Sequence, residues 1–302
     1  MDYRFSDRIS SLKPSLIREI LKNTSGSDVI PFSAGNPSPE SFPVKALKEI
    51  ADGIFNDDAT TALQYGISEG YTPLRDALKE RMKKKFNSGR DFDDLIIVSG
   101  GQQGIELACK VLCNEGDTVL CENPSFIGAE NAFRSYNVNL RGVELENDGI
   151  NIEKLENALK TEKNVKILYL IPTFQNPMGI TTTLEKRKAI YELAKKYGVM
   201  IIEDNPYGDL RFEGEEVPTL KSLDTEGLVI YCGSFSKILS AGIRVGYVLA
   251  PSEVIQKMVV AKQVSDVHTN LFFQMAAYRF MTQYGMETHI DKIRKLYKHK
   301  SS

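Results

Sequence analysis

Four short segments of this 302-residue chain carry groups whose chemistries complement one another. Gly233-Ser234-Phe235-Ser236-Lys237 is followed by Arg244 in the run Ser-Ala-Gly-Ile-Arg-Val-Gly-Tyr. Hydroxyls and a guanidinium suit a phosphate, and an amine suits a carbonyl. Asp204-Asn205-Pro206-Tyr207 adds an acid and a phenol. A carboxylate can hold a pyridine nitrogen in its protonated form, which turns the ring into an electron sink, and a tyrosine can hydrogen-bond a phenolic oxygen. Pro172-Thr173-Phe174-Gln175-Asn176-Pro177-Met178-Gly179 offers Asn176 as a donor to the same oxygen, in a turn shaped by prolines and glycine. Ser99-Gly100-Gly101-Gln102-Gln103-Gly104 leads into Ile-Glu-Leu-Ala-Cys-Lys-Val-Leu, and small residues at a helix N-terminus expose N–H groups to a phosphate. Its glycine spacing is not that of a dinucleotide fingerprint.

Each segment alone has a plain reading as a basic pair, a turn or a helix start. Their placement argues otherwise, because each follows an apolar run rich in β-branched residues. The strand candidates are 95–98, 118–121, 165–171, 199–203, 228–232 and 245–250, with 138–145 weaker. They alternate with amphipathic stretches, the pattern of an α/β protein with a three-layer αβα body and a mostly parallel sheet. Ligands of such sheets collect outside the carboxyl ends of the strands. One helix is expected from Thr182, with Glu185 completing a capping box, and another with Thr72 as N-cap and Pro73 in its first turn, running to about Phe86. The first forty-odd residues, with Pro31, Pro37, Pro39 and Pro43, read as an irregular arm, and the segment from Phe273 through Ile290 and Ile293 to Lys300 as helix.

Composition narrows the function. The chain is 42% hydrophobic and 26% charged, with a formal net charge of −2 and a pI of about 6.1. No positive field draws nucleic acid or an anionic membrane, so small-molecule chemistry is favoured. The N-terminus lacks the apolar run of a signal peptide and no stretch reaches spanning length, which implies a cytoplasmic address. Cys109, Cys113, Cys121 and Cys232 form no CxxC pair, and His268, His289 and His299 all lie near the C-terminus. Neither disulfides nor a metal site is expected, and Cys109 and Cys113 read as small apolar residues on one helix face.

Acid, phenol and lysine complement three different parts of pyridoxal phosphate. At this point the chain resembles the fold-type I pyridoxal-phosphate enzymes: Asn176-Pro-Met-Gly, Asp204-Asn-Pro-Tyr207 and Ser234-Phe-Ser-Lys237 with Arg244 match that family's motifs in order and spacing. More narrowly, Ser33-Ala-Gly-Asn-Pro, Gln64-Tyr65-Gly66 and Ser99-Gly-Gly-Gln-Gln-Gly are similar to the branch of 2-aminoadipate, kynurenine and aromatic aminotransferases, which also includes the catalytic-like domains of MocR-type regulators.

The resemblance implies an amino-acid aminotransferase that exchanges an amino group with a 2-oxo acid such as 2-oxoglutarate. It implies that Lys237 holds the cofactor as a Schiff base and then shuttles a proton. Asp204 pairs with the ring nitrogen, Asn176 and Tyr207 with the phenolic oxygen, and Phe126 stacks on the ring. Gly101, Gln102, Ser234, Ser236 and Arg244 hold the phosphate. Tyr65 reaches the cofactor of a partner subunit in a homodimer, and Gly35, Asn36 and Asn176 line the substrate site. The expected division is an arm and small-domain segment over 1–45, a large cofactor-binding domain over 46–272 and a connecting helix over 273–302. Family members normally continue for about a hundred residues more, supplying most of a small domain and the arginine that clamps the substrate carboxylate. No strand pattern follows the last helix here, so that domain and that arginine have no counterpart in this sequence. Three other readings share the same residues: a cofactor-binding fragment without turnover, a MocR-type effector domain, and a pyridoxal-phosphate lyase.

Overall fold

The computed structural model describes residues 3–10, 12 and 35–301. Ser33, Ala34 and Pro31 of the arm lie outside them. The strands are β1 (Asp93–Val98), β2 (Thr118–Asn123), β3 (Asn139–Glu146), β4 (Gly149–Ile150), β5 (Val165–Leu170), β6 (Met200–Asp204), β7 (Val229–Ser234) and β8 (Gly246–Pro251). They form one sheet in the order β1-β8-β7-β6-β5-β2-β3-β4. The pairs β3–β2, β2–β5, β5–β6 and β6–β7 are parallel, while β8 runs antiparallel to both β7 and β1. Consequently β1, β2, β5, β6 and β7 all end on the same edge, and β8 begins there.

The central strands are apolar on both faces because both faces are covered. In β1, Ile96 and Val98 pack with Ile105, Ala108 and Cys109 of the helix Gly101–Leu112 and with Met258 of the helix Ser252–Gln263. Leu95 and Ile97 point the other way, toward Leu74 and Leu78 of the helix Thr72–Phe86 and toward Met275 and Phe280 of the helix Leu271–Gln283. Farther along the sheet, Leu168, Leu170 and Ile201 meet Leu155 of the helix Ile152–Thr161 and Ile190 and Ala194 of the helix Leu184–Tyr197. Each such fully buried aliphatic side chain contributes about 1.5–3 kcal/mol to the fold. This is the three-layer αβα body that strand spacing implied.

Three local readings need correction. Thr72 is inside its helix, not its cap, because the N–H groups of Leu74 and Arg75 are already taken by the carbonyl of Tyr71. The Thr182–Glu185 capping box does not form. The helix starts at Leu184, and the main chain of buried Thr182 is engaged elsewhere, its N–H on Pro172 O and its carbonyl under Arg187 Nε. The C-terminal segment is two helices, Leu271–Gln283 and Met286–Ser301, separated at Gly285. Gly285 takes φ +70°, a left-handed conformation that ends the first helix where side-chain periodicity runs on. The second helix meets the arm, where Tyr297 Oη accepts the Ser38 N–H and Lys300 Nζ donates to Ser38 Oγ.

Candidate active site

The loops that follow β1, β5, β6 and β7 converge at the carboxyl edge of the sheet. The approach is closest where Gly246 opens β8. A Cβ on Gly246 would stand 2.8 Å from Gly100 C, 2.9 Å from Gly101 N and 2.9 Å from Gly233 O, so three main chains meet there directly. Gly100 takes φ +83°, and any side chain on it would collide with the Arg244 guanidinium. Arg244 is itself left-handed at φ +52°, a conformation held by its surroundings rather than preferred.

One end of the site is built of hydroxyls, N–H groups and a cation. Ser234 Oγ and Ser236 Oγ lie 2.9 Å apart, and the Ser236 N–H donates to Ser234 Oγ. Arg244 Nη1 donates to Ser236 Oγ at 3.4 Å and Ala241 O at 3.2 Å, and Nη2 donates to Ser99 O at 3.3 Å. The helix Gly101–Leu112 points its N-terminus into this group, with Gly101 and Gln102 in its first turn. Gln102 Nε2 donates to Gly128 O at 2.7 Å, and a Cβ on Gly128 would strike both the Phe126 ring and the Gln102 side chain. Phe126 and Gln102 are therefore neighbours, although twenty-odd residues separate them.

The other end carries the acid, the phenol and the lysine. Asp204 closes β6 and is buried; its Oδ2 accepts the Tyr169 hydroxyl at 2.7 Å. Burial pushes the Asp204 carboxyl up to about 6, against the bond from Tyr169. Tyr207 is raised above the usual phenol range, first by burial and then by the Asp204 charge, while a hydrogen bond from Asn176 opposes both. Lys237 Nζ lies 5.8 Å from the centre of the Tyr207 ring and donates to Gly35 O at 2.6 Å. Burial, together with the Arg244 charge, lowers the Lys237 ammonium below its usual range, favouring the neutral amine. Asn36 follows Gly35 on the exposed side.

Tyr65 is not brought to this group. It is exposed and packs edge-on against His268, with ring centres 5.9 Å apart. Sequence reasoning missed three supporting residues. Tyr169 looked like one more apolar strand position. Gln175 Nε2 donates to Glu122 Oε2 and to Pro124 O, and its Oε1 accepts the Met178 N–H, so it ties the Phe126 loop to the Asn176 loop. Glu122 is buried beneath both loops, pushed by that burial up to about 7. Gln175 sits next to Asn176 in a segment already singled out, and its amide was the available signal.

The donor set fits a phosphorylated pyridine aldehyde. A Cβ on Gly101 would come 3.9 Å from Asp204 Oδ1 and 4.0 Å from Ser234 Cβ, so the glycine leaves space bordered by acid and hydroxyl. A buried carboxyl with a raised pKa and a single side-chain donor is stabilised by a cationic partner, which a ring nitrogen provides. Among the described residues no cluster of three or more His, Cys, Asp or Glu could hold a metal ion, and no helix is long and apolar enough to cross a membrane.

A three-layer αβα body with this site at its strand ends is the architecture of a pyridoxal-phosphate-dependent transferase. The family described as aminotransferase class I and II matches residues 27–297, and the chain belongs to it. An aromatic-amino-acid aminotransferase of Thermococcus litoralis is 42% identical over 99% of this chain and 73% of its own length. A 2-aminoadipate transaminase of Thermus thermophilus is 37% identical over 98% of this chain and 74% of its own. The crystal structure of Pyrococcus horikoshii kynurenine aminotransferase, in complex with PMP, matches with a TM-score of 0.93 at 40% identity, over 97% of this chain and 74% of that one. The expectations of the fold, of an aminotransferase and of pyridoxal phosphate as cofactor are borne out.

Proposed function

We propose that this chain transfers an amino group between an L-amino acid of the 2-aminoadipate or aromatic type and a 2-oxo acid such as 2-oxoglutarate, with pyridoxal phosphate held at Lys237. The observation that carries the reading is the meeting of Lys237, Tyr207 and Asn176 around a space floored by buried Asp204. When bound, the cofactor supplies a ring that accepts the electron pair left at the substrate α-carbon.

The chain's own groups do the rest. Asp204 would pair its charge with the ring nitrogen, and Tyr169 holds one of its two carboxylate oxygens, Oδ2. Asn176 and Tyr207 serve the phenolic oxygen as a hydrogen-bonded pair, and Phe126 covers the ring face. Ser234, Ser236, Arg244 and the N–H groups at Gly101 and Gln102 neutralise and orient the phosphate. Lys237 would hold the cofactor through Nζ, and the same amine would accept the proton given up by the substrate α-carbon. Its depressed pKa suits both tasks, since only a neutral amine can attack a carbonyl or accept a proton. Gly35 and Asn36 form the substrate side of the pocket.

A homodimer and a cytoplasmic address belong to the same proposal, as does the division into an arm, a cofactor domain over 46–272 and a C-terminal helical segment. Exposed Leu63, Ile67 and Val267 surround Tyr65 and His268, which supports a partner subunit covering this face. The test is to add pyridoxal phosphate, reduce with borohydride and map the labelled peptide. The label is expected on Lys237; a label elsewhere, or none, overturns the assignment. Single-turnover conversion to pyridoxamine phosphate with 2-aminoadipate, kynurenine and aromatic amino acids then identifies the donor, and no conversion with any of them leaves a binding protein without turnover.

A further inference from the structure

Beside the phosphate end of the site, the helix Ser252–Gln263 carries a lysine, Lys262, that is wholly buried. Its ammonium donates to Gln103 Oε1 at 2.6 Å and to the two oxygens of Asp266 at 2.8 and 3.0 Å. Gln103 Oε1 also accepts the Ser99 N–H at 2.8 Å, and Gln103 Nε2 donates to Asp266 Oδ2 at 2.8 Å. Ser99 Oγ donates to that same carboxylate oxygen at 2.8 Å and lies 3.1 Å from Thr269 Oγ1. With its carbonyl under Arg244, Ser99 has its N–H, its carbonyl and its hydroxyl all engaged.

An ammonium in this position is costly to desolvate, and an apolar side chain would fill the same space at less expense. What an apolar residue could not do is hold Gln103 and Asp266 so that both grip Ser99. Ser99 is the residue immediately before Gly100 and Gly101, and its carbonyl is one of the fixed points of Arg244. The three-residue network thus reaches two phosphate-binding elements through one backbone unit.

We propose that Lys262, acting through Asp266 and Gln103, is a positioning residue for the phosphate end of the cofactor, setting the spacing between the Gly101–Gln102 N–H groups and Arg244. This rests on the cofactor reading above and adds to it residues that touch neither cofactor nor substrate.

The test compares Lys262→Met, Asp266→Asn and the double variant with the wild-type chain. The readouts are the Kd for pyridoxal phosphate by absorbance titration, the 31P chemical shift of the bound phosphate and the Tm of the cofactor-free protein. Each single variant is expected to raise Kd by roughly tenfold to a hundredfold, the scale seen when supporting partners are lost at metal sites, and to move the 31P resonance. The double variant is expected to match the worse single, because one network is lost in each case. Lys257→Met, on the exposed face of the same helix, serves as the control with unchanged Kd. Asp266 is about a third exposed, so its variant decides the matter if Lys262→Met does not fold. Variants that lose Tm but keep the wild-type Kd and 31P shift show a merely structural role and overturn the inference alone. A wild type that takes up no pyridoxal phosphate overturns the cofactor reading with it.

Discussion

Tyr169 and Asp204 sit on adjacent parallel strands, and the phenol of one donates a 2.7 Å hydrogen bond to the carboxylate of the other in a fully enclosed space. The bond opposes the effect of burial on the acid, holding it more readily ionised than its surroundings would otherwise allow. Tyr169→Phe is therefore expected to raise the Asp204 pKa beyond about 6 and to move the acid limb of pyridoxal-phosphate binding to higher pH. Loss of a hydrogen bond to a charged group corresponds to about 1.5–3 kcal/mol, or roughly ten- to a hundredfold in Kd at neutral pH. A pH-binding profile superimposable on that of the wild type would refute it.

Asp204 also makes the stability of the cofactor-free protein depend on pH. Its folded-state pKa of about 6 lies above the ordinary 3.8, so the folded chain binds the proton more tightly than the unfolded chain. Stability from this group falls as pH rises from about 4 to 6, and the full penalty, on the order of 2–3 kcal/mol, is present above that. Asp204→Asn should stabilise the cofactor-free protein at pH 8 and leave it nearly unchanged at pH 4, while abolishing turnover. Urea melts at the two pH values measure the difference; equal shifts at both would show that the acid is not buried in this way.

Arg244 binds through geometry as well as charge, with separate nitrogens on Ser236, Ala241 and Ser99. Lysine keeps the charge and loses the fork. Arg244→Lys is expected to weaken pyridoxal-phosphate binding by roughly ten- to a hundredfold, about 1.5–3 kcal/mol. Unchanged affinity in a fluorescence-quench titration would mean that charge alone is enough.

The exposed position of Tyr65 permits a test by complementation. If Tyr65 serves the partner's site, mixing Lys237→Ala subunits with Tyr65→Phe subunits creates one wild-type site per heterodimer and restores activity above either parent. If Tyr65 serves its own subunit, no site in the mixture is wild type and activity does not rise. Activity measured after co-refolding at equal ratio separates the two.

The fold was legible because strands buried on both faces, such as Leu95-Ile96-Ile97-Val98, read as unbroken apolar runs, and because the polar residues of the site fall just after them. Asp204, Ser234 and Asn176 stand out for that reason. Tyr169 does not, since a phenol inside a strand is an ordinary core residue until its partner is located. Lys262, in the last turn of its helix, and Asp266, just beyond the helix end, are four apart, the spacing of a routine surface pair, and nothing in that spacing says that one of them is enclosed. The cap positions at Thr72 and Thr182 failed because main-chain carbonyls took the N–H groups first, Tyr71 O those of Leu74 and Arg75 and Pro172 O that of Thr182, and such competition is settled only in three dimensions.

At Gly246 the main chains of Gly100, Gly101 and Gly233 touch with no side chain between them. Their closest approach is thus limited by main-chain contact, and at this point there is no side chain to enlarge or trim. Adjustment is left to the loops on either side, where side chains such as Lys262 and Asp266 hold Ser99 against Arg244.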